Sequence, residues 1–546
     1  MWIKNLFFAA IVILGILFSG YFLLPANRVP TPSSYDRDWS SRPDVAGTLE
    51  KLDQEFQANW KSKNLKPTPE AKPLVVVRRL SLGLTGTVPS LEEIRKLEQQ
   101  PEDQQVNWWI SRLLEDRRTS DYVAERLARA YVGTEDGPFV VFRRRRFVTW
   151  LSDQLHSGRA YNEIVKELLV DQGLWTDSAA VNFMTVTLNE DEEGKPDPIR
   201  LAGRTSRAFL GMRIDCLQCH DDFLGTIYVG DAKSKENGTQ EDFHKLAAFF
   251  NDTTVNLGGL RDTRQMQHYQ YKFLDDEEES TVAEGVPFSN DLLPQKGTRR
   301  ERLAAWVTHK ENKQFARAIV NRVWAIVTGR PLVEPIDDIP LHGPFPPGLE
   351  TLAEDFIRHD FNLKRLIRLI ALSDVMKRDS VAPFEITSKH ERYWASFPLT
   401  RLRPEQVASS VIQATSLTTI DSTAHIIQQV TKFGMENDFV QRYGDIGEDE
   451  FEQRGATITQ TLILMNGDLV RERLAEQTAT TRIPFLNQSN RKAIEMAYLC
   501  IYTRRPDEEE YGYFMKKFDG SEEDRYATMQ DIFWELINGN EFAFNH

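Results

Sequence analysis

"VAGTLEKLDQEFQANWKSKNL", residues 45–65, repeats apolar residues three or four apart, at Val45, Leu49, Leu52, Phe56 and Trp60. That spacing places them on one face of an α-helix. The same period runs on through the chain and decides the class of fold. "PSLEEIRKLEQQ" (89–100) opens with Ser90 as an N-cap and follows it with glutamate in the first turn. "QVNWWISRLLED" (105–116), "SDYVAERLARAYVG" (120–133), "FRRRRFVTWLSDQLHSG" (142–158) and "YNEIVKELLVDQG" (161–173) continue it, with loops at 85–90, 133–139 and 189–198. Strand signals are scarce, so a mainly α-helical body is expected.

A chain of 546 residues exceeds one ordinary hydrophobic core, and two domains are expected. A second helical block begins near Thr298, with two helices in "RRERLAAWVTHKENKQFARAIVNRVWAIVTG" (299–329) and two more in 349–374. The acidic, aperiodic "FLDDEEESTVAEGVPFSNDLLPQKG" (273–297) separates the blocks. The expected division is therefore a first helical domain over 45–260, a linker over 261–297 and a companion domain over 298–546.

"LFFAAIVILGILFSGYFLL" (6–24) is uncharged for nineteen residues, long enough to cross a bilayer as a helix. No small-x-small cleavage site and no lipoprotein cysteine follows it, so the expectation is a single-pass signal-anchor over residues 1–25, cleavage near Ser19 and Gly20 being the alternative. A Pro/Ser-rich tether over 26–44 leads to a body placed outside the cytoplasmic membrane. The full expectation is two helical domains behind an N-terminal transmembrane helix. A net charge of −14 excludes a nucleic-acid partner, since phosphate affinity needs clustered Lys and Arg. The one basic run, Arg143–Arg146, is expected to be a solvated or acid-paired helix face.

Three cysteines make no disulfide scaffold. Cys500 sits in the apolar helical pattern "AIEMAYLCIYTRR" and is expected to be a buried small hydrophobe. Cys216 and Cys219 lie in "RIDCLQCHDDF" (213–223), where Cys-x-x-Cys-His is the pattern that attaches haem c. Two thiols three residues apart fall on one side of a helical turn, and the imidazole of His220 follows at once. The alternatives are a disulfide, structural or redox-active, a zinc or other divalent metal site completed by His220 with Asp221 or Asp222, a catalytic metal site, and a reduced buried pair. For a closed haem site Met212, His244, Met266 and His268 are candidate sixth ligands. Gly211 marks where the preceding helix loosens, and Phe243, Leu246, Phe249 and Phe250 form an aromatic face that is either haem cover or ordinary core.

Elsewhere, "PIDDIPLHGPFPPG" (335–348) brings Asp337, Asp338 and His342 into one loop, either turn caps or a metal or general-base site. Arg442, Asp445, Glu448, Asp449, Glu450, Glu452 and Arg454 suggest an ion-paired loop or a cleft lining. There is no nucleophile elbow, phosphate loop or dinucleotide fingerprint.

"VVRRLSLGLTGTVPSLEEI", "VNF", "TSRAFLGMRIDCLQCHDDF" and "FHKLAAFF" together resemble the planctomycete cytochrome c-like domain family, a domain of unknown function. The second block, in residues 299–339, "FNLKRLIRLIALSD", "LILMNGDLV" and "LINGNEFAFNH", resembles its usual C-terminal companion, giving the families 1549 and 1553 of unknown function in tandem. The resemblance marks Cys216, Cys219 and His220 as the motif residues, followed by Asp221. Members commonly continue with His and Pro, whereas this chain has Asp222 and then Phe223, which removes a second histidine from the site. The expectation that follows is a membrane-anchored, exported monohaem redox or electron-transfer component with redox partner proteins. An extracytoplasmic metal-dependent enzyme, such as a hydrolase linked to polymer degradation, and a non-catalytic scaffold with a Cys-x-x-Cys disulfide are the alternatives.

Overall fold

The computed structural model describes Val12 and residues 32–546, apart from 135–140, 189–193, 232–235, 264–266, 275, 422–423, 445–446, 448–450, 452–454, 456, 476–477 and 521–524. Helices dominate it, and among the described residues the sheets are four antiparallel pairs of short strands. The helix Pro43–Ser62 begins with proline at its first turn and buries Val45, Leu52, Phe56 and Trp60, the stripe set by the apolar spacing. Ser90 caps Leu91–Leu97: its Oγ accepts from the Glu93 amide at 3.1 Å, and the Glu93 carboxylate accepts from the Ser90 amide at 2.8 Å. Glu93 is buried and also meets Arg112 and Arg118, each at 2.6 Å. Burial alone would raise its carboxyl; the two guanidiniums outweigh that and hold it below the ordinary range.

Two hydrophobic cores form. The first draws residues from Trp39 to Phe397, and the second joins Leu402–Phe542 to Leu82, Val88, Leu91 and Ile94 from the first block. In the first core the helix Lys313–Thr328 is buried at every position after Lys313, and Pro73–Thr85 is buried from Val76 onward. They cross at Gly83, where a Cβ would stand 2.4 Å from the Val327 carbonyl oxygen. Arg78 and Arg79 lie on the same buried helix. Arg78 donates to the Ile501 carbonyl at 2.8 Å, and Arg79 to the carbonyls of Met376, Arg378 and His546 at 2.9, 2.7 and 2.8 Å. Burial pushes Arg79 down to about 9. The strand Phe544–Asn545 pairs with Thr400–Arg401 and ties the C-terminus to the body.

The stretch 261–297 contains a hairpin, Tyr269–Tyr271 paired with Ser280–Val282 in the register Tyr269↔Val282. The basic run opens the helix Arg144–Ser157, with Arg144 on Glu125 at 2.8 Å and Arg145 and Arg146 exposed. Cys500 is buried in Asn490–Tyr502, and burial pushes its thiol up to about 12.

One expectation on fold class is corrected. The mainly helical body with two helical regions stands, but among the described residues no helix is long and apolar enough to cross a membrane. Even the 20-residue Pro43–Ser62 is amphipathic, with Asp44, Glu50, Lys51 and Lys61 along it. Residues 6–24, on which the transmembrane helix was placed, lie outside the described residues except for Val12. The membrane as a partner and the single-pass localisation lose their support with it.

Helix propensity predicts that alanine stabilises a helical glycine; here the two positions should differ in sign. Gly47 has nothing within 4 Å of a built Cβ, so Gly47→Ala should raise stability by about 0.5–1 kcal/mol. Gly83→Ala should lower it by about 1–3 kcal/mol through overpacking against backbone. Thermal unfolding of the two variants checks this.

Candidate functional site

The helix Pro198–Thr205 is capped by Asp197, which accepts from the amides of Ile199 and Arg200 at 2.9 and 3.1 Å. It widens into a π-helical turn over Ser206–Leu210 and stops at Gly211, whose φ of +58° is left-handed. The next amide, Met212, bonds back to Ser206 O at 3.1 Å. A Cβ on Gly211 would lie 3.0 Å from Ile339 and 3.4 Å from Ala318, so glycine permits both the turn and the contact with the second block. A short 3₁₀ turn, Asp215–Gln218, then carries the motif, with Asp215 held by Arg207 at 2.6 Å.

The turn is gripped through one backbone atom. The Gln218 carbonyl, between the two cysteines, accepts from Gln240 Nε2 at 3.0 Å, Tyr271 OH at 3.1 Å and His244 Nε2 at 3.2 Å. Because a carbonyl only accepts, His244 carries its hydrogen on Nε2, and its Nδ1 accepts from Tyr269 OH at 2.8 Å. Tyr271 stacks on the same imidazole at 3.5 Å between centroids. Burial drives His244 down to about 4, against the opposing pull of the Gln218 carbonyl.

Around this anchor, Asp221 Oδ1 accepts from the Gln240 amide at 2.7 Å. Asp222 is buried and accepts from the Leu224 and Ile227 amides at 3.1 and 2.5 Å and from the Thr226 hydroxyl at 3.3 Å. Those donors hold its carboxyl low despite burial. Asp222 therefore caps its own turn, while the exposed Asp221 accepts at the start of the helix Gln240–Ala247. Cys216, Cys219 and His220 face outward and are exposed, beside Phe223 and Leu224 at 81% and 88% exposure. His220 Nδ1 donates to Asp221 O at 2.8 Å, which leaves Nε2 without a hydrogen-bond partner among the described residues. Partial burial, with Asp215 and Asp222 close by, pushes the Cys216 thiol up, the reverse of an activated thiolate.

Of the expected sixth ligands, Met212 is in the core, His244 has both nitrogens engaged, His268 is exposed, and Met266 lies outside the described residues. Phe243, Leu246, Phe249 and Phe250 are core. In the second charged loop Arg442 pairs with Asp438 and Asp468, while Asp445, Glu448, Asp449, Glu450, Glu452 and Arg454 lie outside the described residues. The supporting residues Gln218, Gln240, Tyr269 and Tyr271 were not singled out from sequence; the only signal was the i, i+2 spacing of the two tyrosines, which puts both on one face of a strand.

Fold and site thus define a mainly helical protein of two helical regions that presents a Cys-x-x-Cys-His turn to solvent. Two family models match: PSCyt2, a protein of unknown function (DUF1549), over residues 51–255, and PSD1, a protein of unknown function (DUF1553), over residues 299–517. The chain belongs to this tandem family, the planctomycete cytochrome c-like family. No curated protein and no solved structure matches it.

The functional expectation is corrected in its membrane anchor, its redox partners, its metal site and its disulfide. A membrane-anchored, exported monohaem redox or electron-transfer component loses its anchor, and no redox partner follows from the matches, both to domains of unknown function. Among the described residues no group of three or more His, Cys, Asp and Glu is placed to hold a metal ion, and beside the motif the Asp221 and Asp222 carboxylates accept from backbone amides; the metal-dependent enzyme with a zinc site loses its ligand set. Cys216 and Cys219 are free thiols, which removes the disulfide scaffold.

His244 should remain neutral in the Nε2–H form until the pH falls to about 4, as imidazole ¹⁵N shifts would record. An unfolded histidine titrates near 6.5, so this group's contribution to stability is complete above that pH and declines as pH falls from about 6.5 to about 4. Urea unfolding of the wild type and of His244→Gln across that window should show a shallower decline in the variant.

Proposed function

We propose that the first helical unit presents Cys216, Cys219 and His220 as an attachment site for a covalently held cofactor, haem c being the group this donor set fits. The observation that carries it is the pairing of two exposed free thiols with an imidazole whose Nδ1–H is engaged by Asp221 O at 2.8 Å, leaving Nε2 available. Cys216 and Cys219 would hold the group through thioethers, and His220 Nε2 would bind its iron. When bound, haem would supply one-electron chemistry at iron. Thioether carbon–sulfur bonds leave the cysteines off the metal, so this site needs no cluster of metal-ligating side chains. The raised Cys216 thiol speaks against nucleophilic catalysis, and the exposed Phe223 and Leu224 supply apolar surface that a bound macrocycle would cover.

The test is expression with an appended leader and a cytochrome c maturation system, followed by haem staining and a pyridine haemochrome spectrum of the denatured protein. The expected result is covalent haem near one per chain, abolished in Cys216→Ser/Cys219→Ser. A colourless wild type, made where a control cytochrome matures normally, would overturn the proposal.

A further inference from the structure

The helix Ile426–Tyr443 places apolar residues outside and a lysine inside. Val430 and Phe433 stand out at 63% and 62% exposure. Lys432 and Glu436 instead share a stripe with the buried Phe439 and Tyr443, at the four- and three-residue spacing of one helical face. That stripe packs on Pro404–Ala414 of the same family unit. It also comes within reach of Arg118 and Asp116, at the start of Arg117–Val132 in the other unit.

The other charges around this stripe are matched. Arg118 meets Glu93 and Asp116 at 2.6 and 2.7 Å, and Arg126 and Arg403 each meet Glu405 at 3.0 Å. The Ser409 hydroxyl donates to Glu436 Oε2 at 2.9 Å. Lys432 is left over: among the described residues its Nζ makes no hydrogen bond or ion pair, and the side chain is half-buried. Burial drives its amine below the ordinary lysine range, with Arg118 adding to this against Glu436, Asp116 and Asp421. Burial likewise raises the Glu436 carboxyl, with Glu405 adding to it against Lys432, Ser409 and Arg126. Groups that are desolvated by the protein around them yet keep accessible surface line a recess. This one holds a desolvated amine and, one turn along the same face, a carboxyl group. Carbonyl condensation needs that pair, since the free amine is the nucleophile and the acid supplies the proton that expels water.

We propose that this recess is a carbonyl-binding site in which Lys432 Nζ condenses with a small polar aldehyde to form an imine, Glu436 being the proton donor. The amine lone pair forms the carbon–nitrogen bond, and an N–H proton moves to the former carbonyl oxygen, giving a carbinolamine. The Glu436 carboxyl then protonates that hydroxyl, which leaves as water, and the N–H proton of the resulting iminium returns to the Glu436 carboxylate. The matched charges along the walls favour a hydroxylated aldehyde over an aliphatic one. The site is separate from the thiols and stands whether or not a cofactor is attached there.

The experiment incubates the full chain with glycolaldehyde and sodium cyanoborohydride, which reduces an imine to a stable secondary amine, and locates labelled lysines by peptide mass spectrometry. At neutral pH Lys432 is expected to label about tenfold faster, or more, than the exposed Lys389 and Lys492, because each unit of lowered pKa gives about tenfold more free amine. The advantage should shrink as pH rises toward about 10, where exposed amines also lose their proton. Glu436→Gln should slow labelling at Lys432 about tenfold and leave Lys389 and Lys492 unchanged, with circular dichroism establishing that the variant is folded. The wild-type comparison decides independently should that variant fold poorly. Labelling of Lys432 no faster than that of the exposed lysines, or labelling unslowed in folded Glu436→Gln, would overturn the proposal.

Discussion

The close crossing of Pro73–Thr85 and Lys313–Thr328 is the constraint on which the rest of the molecule depends. The Val327 carbonyl occupies the space that the first carbon of any side chain at position 83 would need. Each of these helices comes from a different matched domain, and each is buried nearly all round. The two units therefore share a core. That core sets the rotation of Pro73–Thr85, which aims Arg78 at Ile501 and Arg79 at the carbonyls of residues 376, 378 and 546. Arg79, a buried guanidinium with three carbonyl acceptors, would be costly to leave unpaired, so its bonds favour one arrangement of the packing.

The same central helix governs the motif. Ala318 and Ile339 press on Gly211, which ends the widened turn and starts the polypeptide toward Cys216. Beyond Gly211, the Arg207–Asp215 ion pair holds the start of the turn, and neutral groups hold its end: two tyrosines, a glutamine and an uncharged histidine converge around the Gln218 carbonyl. A neutral clamp suits a turn whose own donors must stay outward, because it grips the backbone and leaves the thiols and His220 Nε2 uncommitted.

Much of the local structure was legible in sequence because local physics decides it. The stripe Val45–Trp60, the Ser90/Glu93 box, the burial of Cys500 and the acid-paired start of the basic run each follow from periodicity, capping geometry or amphipathicity within a few residues. His244 was legible only as an imidazole near the motif. Its role as a clamp depends on Tyr269 and Tyr271, which arrive on a hairpin inside an acidic stretch with little periodicity. Asp222 looked like a metal ligand because carboxylate identity says nothing about direction; three nearby donors turned it inward.

The sequence by itself determined the helical class, the presence of two helical blocks and the family, and it located the Cys-x-x-Cys-His motif, since these rest on residue type and short spacing. Only the tertiary structure decided that the blocks share a core, that Asp221 meets the Gln240 amide, that His244 is neutral and fully engaged, and that Lys432 comes within reach of Arg118 and Asp116. Those outcomes depend on groups far apart in sequence. Which donor reaches which acceptor is set by how the helices cross, and no local pattern encodes that crossing.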